Sequence, residues 1–451
     1  MEGTMMKFSA LLFGVLTGVG LLTGFVLFSS NSSEQLADSP VNWEDKMEID
    51  AGDAYQSPWR MNQSEFLYVD DPTVAINGKG VIGIAWADQA EQEILFQAIG
   101  PDGEARHAKP VNASQHPGIF SWLPRMVMTD DKVFLLWQEI VFSGGSHGGE
   151  IFFSRSADGG ATFGEAMNLS NTEAGAGKGR LSLHRWDNGS LDLAMGPEGN
   201  LYAVWTEYEG ALFISRSTDE GENFSDPVQI AGSNSVPARG PSLAVDSEGN
   251  VHIAWTIGED DRADIRYAES ADQGESFSEP QIIRETAGHS DAPKIAVDSK
   301  DTIHLVFADS NPDFSQRYHV FYTRKESDKG QFDKPREISA DHSGQVQSMS
   351  FPEIALDENN FLYVIWELYP NLHQRPTGLG FTYSADGGAT FATPSLVRGT
   401  GEPELGTIGS RQGSLMRRLA VKDAGTLAIV NSTFLRGESS HIWLIRGEVE
   451  R

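Results

Sequence analysis

The chain has 451 residues and a formal net charge of -30, from 34 Lys and Arg against 64 Asp and Glu. That excess repels phosphate backbones and acidic lipid surfaces at long range, which excludes nucleic acid as a partner. With no cysteine there is no disulfide, thiolate nucleophile or cysteine metal site.

The first element is Phe8 to Phe28, FSALLFGVLTGVGLLTGFVLF, 21 residues without a charge. That length spans a bilayer and exceeds the core of a signal peptide. The following SSNSSEQLADSP offers no small-residue cleavage pattern, so residues 1–28 are expected to be a retained signal anchor. Were it cleaved, the protein would be secreted. Lys7 ahead of it places the N-terminus in the cytoplasm and the rest outside, in a periplasm or at a cell surface. The polar stretch 29–57 reads as a tether, and 58–451 as a single repeating domain.

The repeat unit begins with an apolar phrase, clearest in PSLAVDSEGNVHIAW from Pro241, PKIAVDSKDTIHLVF from Pro293 and PEIALDENNFLYVIW from Pro352. Looser copies bring the number to seven, aligned on Val74, Met126, Leu193, Leu243, Ile295, Ile354 and Leu419, with spacings of 52, 67, 50, 52, 59 and 65 residues. In each, two short apolar runs flank a turn such as DSEGN, which reads as a hairpin. A third run, a turn and a fourth run follow. Strands as apolar as FLYVIW are covered on both faces. The expected fold is therefore all-β: a β-propeller of four-stranded antiparallel blades, seven by this count, with six as the alternative. The seventh unit is short, and SEFLYVDD near residue 67 is expected to supply its missing outer strand.

The turn between third and fourth strands carries a second phrase. SADGGATF occurs at Ser156 and again at Ser384, STDEGENF stands at Ser217, SADQGESF at Ser270 and a shortened SDKGQF at Ser327. Its aspartate suits backbone N–H groups across a turn, and its second glycine a backbone conformation that other residues resist. The phrase resembles the Asp box, or BNR repeat, of the sialidase superfamily. That resemblance implies a structural role for Asp158, Asp219, Asp272, Asp328 and Asp386, on the face opposite an active site.

On the opposite rim lie the loops that lead into each first strand and those that follow each second strand. Arginines recur in the first set: Arg125, Arg180, Arg185, Arg239, Arg411, Arg417 and Arg418. Carboxylates recur in the second: Asp88, Glu139, Glu207, Asp309 and Glu367, joined by Trp122, His184, Trp186, Tyr208, His289 and Tyr369. An arginine fork binds a carboxylate through two parallel hydrogen bonds, which suits an acidic sugar. We take Arg125, Arg185, Arg239, Arg417, Trp186 and Tyr369 as candidate substrate-binding residues, and Glu139, Glu207, Tyr208, Asp309 and Glu367 as candidate catalytic ones. The sialidase resemblance implies three arginines, a tyrosine nucleophile activated by a glutamate, and an aspartate acid and base. The chain departs from it at the first inner strand, where DDPT (Asp70 to Thr73) replaces the Arg-Ile-Pro phrase.

No cofactor is expected. The eleven histidines show no zinc-binding spacing, and DSKD (Asp298 to Asp301), which has the composition of a calcium loop, also serves as a plain hairpin turn. Seven N-x-S/T sequons, Asn112, Asn188 and Asn431 among them, matter only in a eukaryotic secretory route. Two functions follow: a membrane-anchored glycosidase of exo-sialidase type acting on an acidic glycan, or a propeller that binds a glycan or a protein without turnover.

Overall fold

The computed structural model describes residues 41–450 except 54–66, 116–119, 141–148, 173–178, 183–184, 188–190, 208–209, 234, 258–262, 285–287, 311–316, 340–345, 372–373, 403, 405, 409–416, 424 and 436. The anchor expected at 1–28 lies outside them. Among the described residues there is no α-helix, and none long and apolar enough to cross a membrane.

Among the described residues, seven antiparallel sheets of four or more strands make up the blades, and a two-stranded pair, Gly179–Ser182 with Arg185–Asp187, stands apart from them. Their innermost strands are Val69–Ile76, Phe120–Met128, Leu191–Met195, Ala238–Val245, Ser290–Val297, Ser348–Leu356 and Leu419–Lys422. Each touches the next, and the last touches the first. The ring is closed, and the repeat is a seven-bladed propeller. Blade four shows the plan: Ala238–Val245, Val251–Ile257, Asp264–Ser270 and Gln281–Arg284 pair in sequence order from the axis outward.

Closure corrects two expectations. The outermost strand of blade seven comes from Val41–Trp43 and Met47–Asp53, which pair with Ser439–Val449 from Val41↔Val449 to Asp53↔Ser439. Residues 41–53, read as tether, thus belong to the domain. Their alternation is masked in sequence because an outer strand buries little: Val41 and Trp43 are buried, whereas Asn42 and Glu48 are exposed. The SEFLYVDD phrase does not fill this place, since its last residues open the innermost strand of blade one.

Two rings of side chains explain why the units stack. Two residues beyond the partner of each aligned apolar residue, the second strand carries Trp86, Trp137, Trp205, Trp255, Phe307 and Trp366, all buried. Blade seven has Asn431 there, also buried. Burial takes this sequon out of reach of any modification of the folded protein. The Oδ1 of Asn112, another sequon, accepts the N–H groups of Ser114 and Gln115, the bonding of a turn residue.

The octet fastens blade to blade. Ser156 Oγ donates to Asp158 Oδ1 at 2.7 Å and accepts from Gly160 N–H at 2.9 Å, while Thr162 donates to Asp158 through its N–H (2.9 Å) and its hydroxyl (2.7 Å). The turn so shaped sets Gly160, at φ +92°, against the Phe96 ring of the preceding blade, where a Cβ would collide. Phe163 stands edge-on to the same ring at 5.5 Å, and the pairs Phe224–Phe153 and Phe391–Tyr322 repeat the contact at 4.8 and 4.9 Å. An arginine one residue before the octet adds a clasp to the next blade's octet. Arg155 donates to the Glu220 carbonyl, Arg216 to that of Gln273 and Arg324 to that of Gly387.

The same geometry holds at Asp219, Asp272 and Asp386, but not at Asp328. There the turn has its full length: Lys325 pairs with Ile303 as Ser156 pairs with Val133. Lys325 and Ser327 therefore occupy the serine and aspartate positions, and Asp328 is an exposed neighbour.

Candidate functional site

The octets and hairpin turns share one rim, because Val133, at the start of its strand, pairs with Ser156 at the end of the next. Antiparallel pairing then sends the ends of the second strands to the opposite rim, where Glu139 pairs with Ser121 and Glu150. On this rim five innermost strands carry a bulge at a residue of positive φ that precedes proline: Asp71 (54°), Leu123 (57°), Gly240 (54°), Ala292 (52°) and Phe351 (51°). Only glycine adopts this conformation freely, and strain of about 1 kcal/mol or more at each of the others is offset by the packed ring. A bulge re-aims the side chains beyond it.

What it re-aims is a charged ring across the axis. The residue before each aligned apolar position is Thr73, Arg125, Asp192, Ser242, Lys294, Glu353 and Arg418 in turn, and all are buried. Asp192, 1 % exposed, takes Arg417 on both oxygens at 3.2 and 3.1 Å, faces Arg125 at 3.9 Å and accepts Leu243 N–H at 2.9 Å from the next blade. Ser242 repeats that cross-blade bond to Ile295 N–H at 3.2 Å, and Lys294 pairs with Glu353 at 3.1 Å. Burial would raise the Asp192 carboxyl, but Arg417, Lys294 and Arg125 outweigh it and hold it below its ordinary range. For Glu353 burial wins and the carboxyl is raised, while burial lowers Lys294 and Arg125.

Three arginines of the predicted clamp are engaged by the protein itself. Arg125, 1 % exposed, donates to the carbonyls of Leu123 and Pro124, and Arg239, equally buried, to those of Ala238 and Glu207. Arg417 is committed to Asp192. Arg185 and Trp186 lie in the strand Arg185–Asp187, paired with Gly179–Ser182; their side chains, and Tyr208, lie outside the described residues.

The predicted acids stand at or just beyond the ends of second strands in four different blades, in different states. Asp309 is held by Arg284 at 2.8 and 3.0 Å and by Ser290 at 3.0 Å. Glu139 is buried and accepts Trp137 Nε1–H at 2.9 Å. Glu207, half-buried, offers its backbone carbonyl to Gly210 N–H at 2.8 Å. Glu367 differs: its Oε1 takes Arg418 at 2.8 Å and its Oε2 accepts the Tyr369 hydroxyl at 2.6 Å. Residues two apart on a strand share a face, so this pair meets. At the boundary with blade five, the Tyr318 hydroxyl lies 3.1 Å from His289 Nδ1.

Sequence reasoning missed Asp192, Lys294, Glu353, Arg284 and Tyr318. The ring was detectable, since polar or charged residues stand immediately before the apolar anchor in all seven units. Of metal sites, no group of three or more His, Asp or Glu residues gathers among the described residues. In the DSKD turn, Asp298 Oδ1 accepts the N–H groups of Lys300 and Thr302, and Asp301 accepts the N–H and hydroxyl of Ser247.

No family model and no curated protein matches the sequence. Solved structures do match in fold. An ulvan lyase of polysaccharide lyase family PL25, bound to -[GlcA(1-4)Rha3S]-, aligns with a TM-score of 0.60 at 10% identity over 90% of this chain and 96% of its own. The polysaccharide lyase Uly1 aligns at 0.53 and 10% identity over 91% and 100%. A protein of unknown function from Dyadobacter fermentans DSM 18053 aligns at 0.50 and 12% identity over 90% and 99%. At such identities the likeness is one of fold, and the chain shares with these proteins a propeller framework of nearly its whole described length.

Proposed function

We propose that this propeller is held outside the cytoplasm by the apolar segment 8–28 and that its rim opposite the octets binds and cleaves an acidic glycan. Tyr369 and Glu367 stand at the reacting centre. The observation that carries the reading is the 2.6 Å hydrogen bond from the Tyr369 hydroxyl to Glu367, whose other oxygen is held by the buried Arg418. Arg418 holds one oxygen of Glu367 and leaves the other on the Tyr369 hydroxyl, placed to take the phenolic proton. Tyr369 then attacks the anomeric carbon as the bond to the departing sugar oxygen breaks, that oxygen taking a proton from solvent, and water later hydrolyses the tyrosyl–sugar bond, an arrangement similar to the tyrosine and glutamate of sialidases. Asp309 does not serve as the acid in this scheme, because Arg284 and Ser290 occupy it. The ulvan lyase structure, bound to a uronate-containing unit, supports an acidic ligand on this framework.

A second reading, binding without turnover, is favoured by the burial of Glu139 and Asp309 in internal bonds. One experiment separates the two. The protein, with Tyr369→Phe and Glu367→Gln as controls, is assayed for sugar release from sialylated and uronate-containing glycans and for retention on the same glycans. Release that both substitutions abolish supports cleavage. Retention without release leaves the binding reading, and neither sinks both.

A further inference from the structure

The charged ring closes the axis on one side only. On the octet side, the last residues of the innermost strands enclose a well of about 390 Å³. Its wall is narrow-waisted by sequence: the position after each aligned apolar residue is alanine in six of the seven blades, Ala244 and Ala296 among them, and every one of these lines the well. Larger apolar residues such as Met128, Met195 and Val297 follow at the mouth. Small residues at seven equivalent places keep open a space that seven leucines would fill.

The floor is polar. Arg417, 26 % exposed, spends Nε and Nη2 on Asp192 and the Leu243 carbonyl, and its Nη1 donates to no described residue. Glu353, 6 % exposed, also lines the floor, and its Oε2 accepts no hydrogen bond although Lys294 lies 3.1 Å away. Around this floor Arg125, Lys294 and Arg417 face Asp192 and Glu353. The remaining Nη1 of this guanidinium, at the bottom of an apolar-mouthed well, is placed to donate to a carboxylate oxygen. The volume equals roughly a dozen water molecules at about 30 Å³ each, enough for a six-carbon acid and too little for a chain of sugars.

We propose that this axial well is a second ligand site, for a small monocarboxylate no larger than a single sugar acid, seated with its carboxylate on Arg417 Nη1 and its body against the alanine ring. The site opens on the octet side, away from Tyr369 and Glu367, and is independent of the glycan reading above.

Calorimetric titration of the full chain with butyrate and glucuronate, against 1-butanol and methyl glucoside as uncharged counterparts, tests it. One acid is expected to bind at least tenfold more tightly than its counterpart. Ala296→Phe, which fills the well, and Arg417→Lys, which keeps the charge but removes Nη1, should each weaken that binding by tenfold or more. Thermal melts of both variants check that they are folded, and Ala296→Phe should leave glycan retention at the rim unchanged. Absence of acid binding at millimolar concentration, or binding indifferent to Ala296→Phe in a folded variant, overturns the proposal.

Discussion

Lys325 Nζ lies 2.5 Å from Glu269 Oε2 across the boundary between blades four and five, inverting the clasp found at other boundaries. Elsewhere an arginine on the third strand reaches forward to the next octet, as Arg216 does. Here that position holds Glu269, and the next octet supplies a lysine in place of its serine. The loss of the fifth octet and the change to glutamate are thus one adaptation. Glu269 also accepts the Tyr267 hydroxyl at 2.7 Å. Lys325→Met should destabilise the protein by about 1–2 kcal/mol, a modest figure because Glu269 is partly solvated. Glu269→Arg with Lys325→Ser, which restores the common pattern, should recover most of it. A urea-unfolding cycle over the two sites measures the coupling, and additive effects would refute it.

Acid should unfasten the octets. Hydrogen bonds from Thr162 and Ser156, from Asn223 and Ser217, and from Ser276 and Ser270 hold Asp158, Asp219 and Asp272 at about 2, against an ordinary 3.8. At Asp386 burial opposes the shift, but the same bonds again bring it to about 2. A carboxyl depressed on folding contributes fully above its unfolded value and loses that contribution as pH falls through the folded one. Melting temperature should therefore hold to about pH 4 and decline toward pH 2. Replacing Asp158 by Asn should lower the plateau and flatten the decline, as thermal melts across that range will show.

At Tyr369, removal of the hydroxyl should separate chemistry from folding. Tyr369→Phe is expected to cost about 1 kcal/mol of stability or less and at least a hundredfold in glycan cleavage. Glu367→Gln leaves the buried Arg418 without its anion and should cost about 3 kcal/mol. Turnover and urea unfolding of the two variants read both quantities.

Salt should help an acidic substrate, not hinder it. With a net charge of -30, the protein's overall field opposes an anionic glycan, whereas local contacts at the rim lie inside the Debye length of about 8 Å at physiological ionic strength. Raising salt from about 0.01 to 0.15 M is expected to tighten binding or raise kcat/KM. A fall across that range would mean that long-range attraction governs capture.

Loss of the borrowed strand should open the ring. Trp43 stands edge-on to Phe381 at 5.5 Å, and Asp50 accepts Trp86 Nε1–H at 2.7 Å. Trp43→Ala is expected to cost about 3–5 kcal/mol, and deletion of residues 41–53 to leave a chain that associates through the bared edge of Ser439–Val449. Light scattering and circular dichroism of the shortened protein check this.

The architecture was legible because a propeller repeats its packing: the phrase around Leu243 returns at Ile295 and Ile354, after 52 and 59 residues, and each copy testifies for the others. Val41 to Asp53 was not, since an outer strand buries too few side chains to leave a pattern. The arginines at 125, 239 and 417 were found by position and misjudged in orientation. A bulge before proline accompanies Arg125 and Arg239, and the left-handed residues of such bulges, Leu123 and Ala292, carry no signature in their letters. Glu367 and Tyr369 were both singled out, but their bond depends on the i, i+2 relation on one strand, which is visible only once the strand's end is known.

The seam in blade seven also orders events in time. Met47–Asp53 emerges early from the ribosome, yet the edge it must join, Ser439–Val449, is synthesised several hundred residues later. At about 5–20 residues per second that interval is on the order of tens of seconds to a minute or more. Through that wait the early strand stays single, and a chaperone or the membrane machinery has its natural opportunity to hold it.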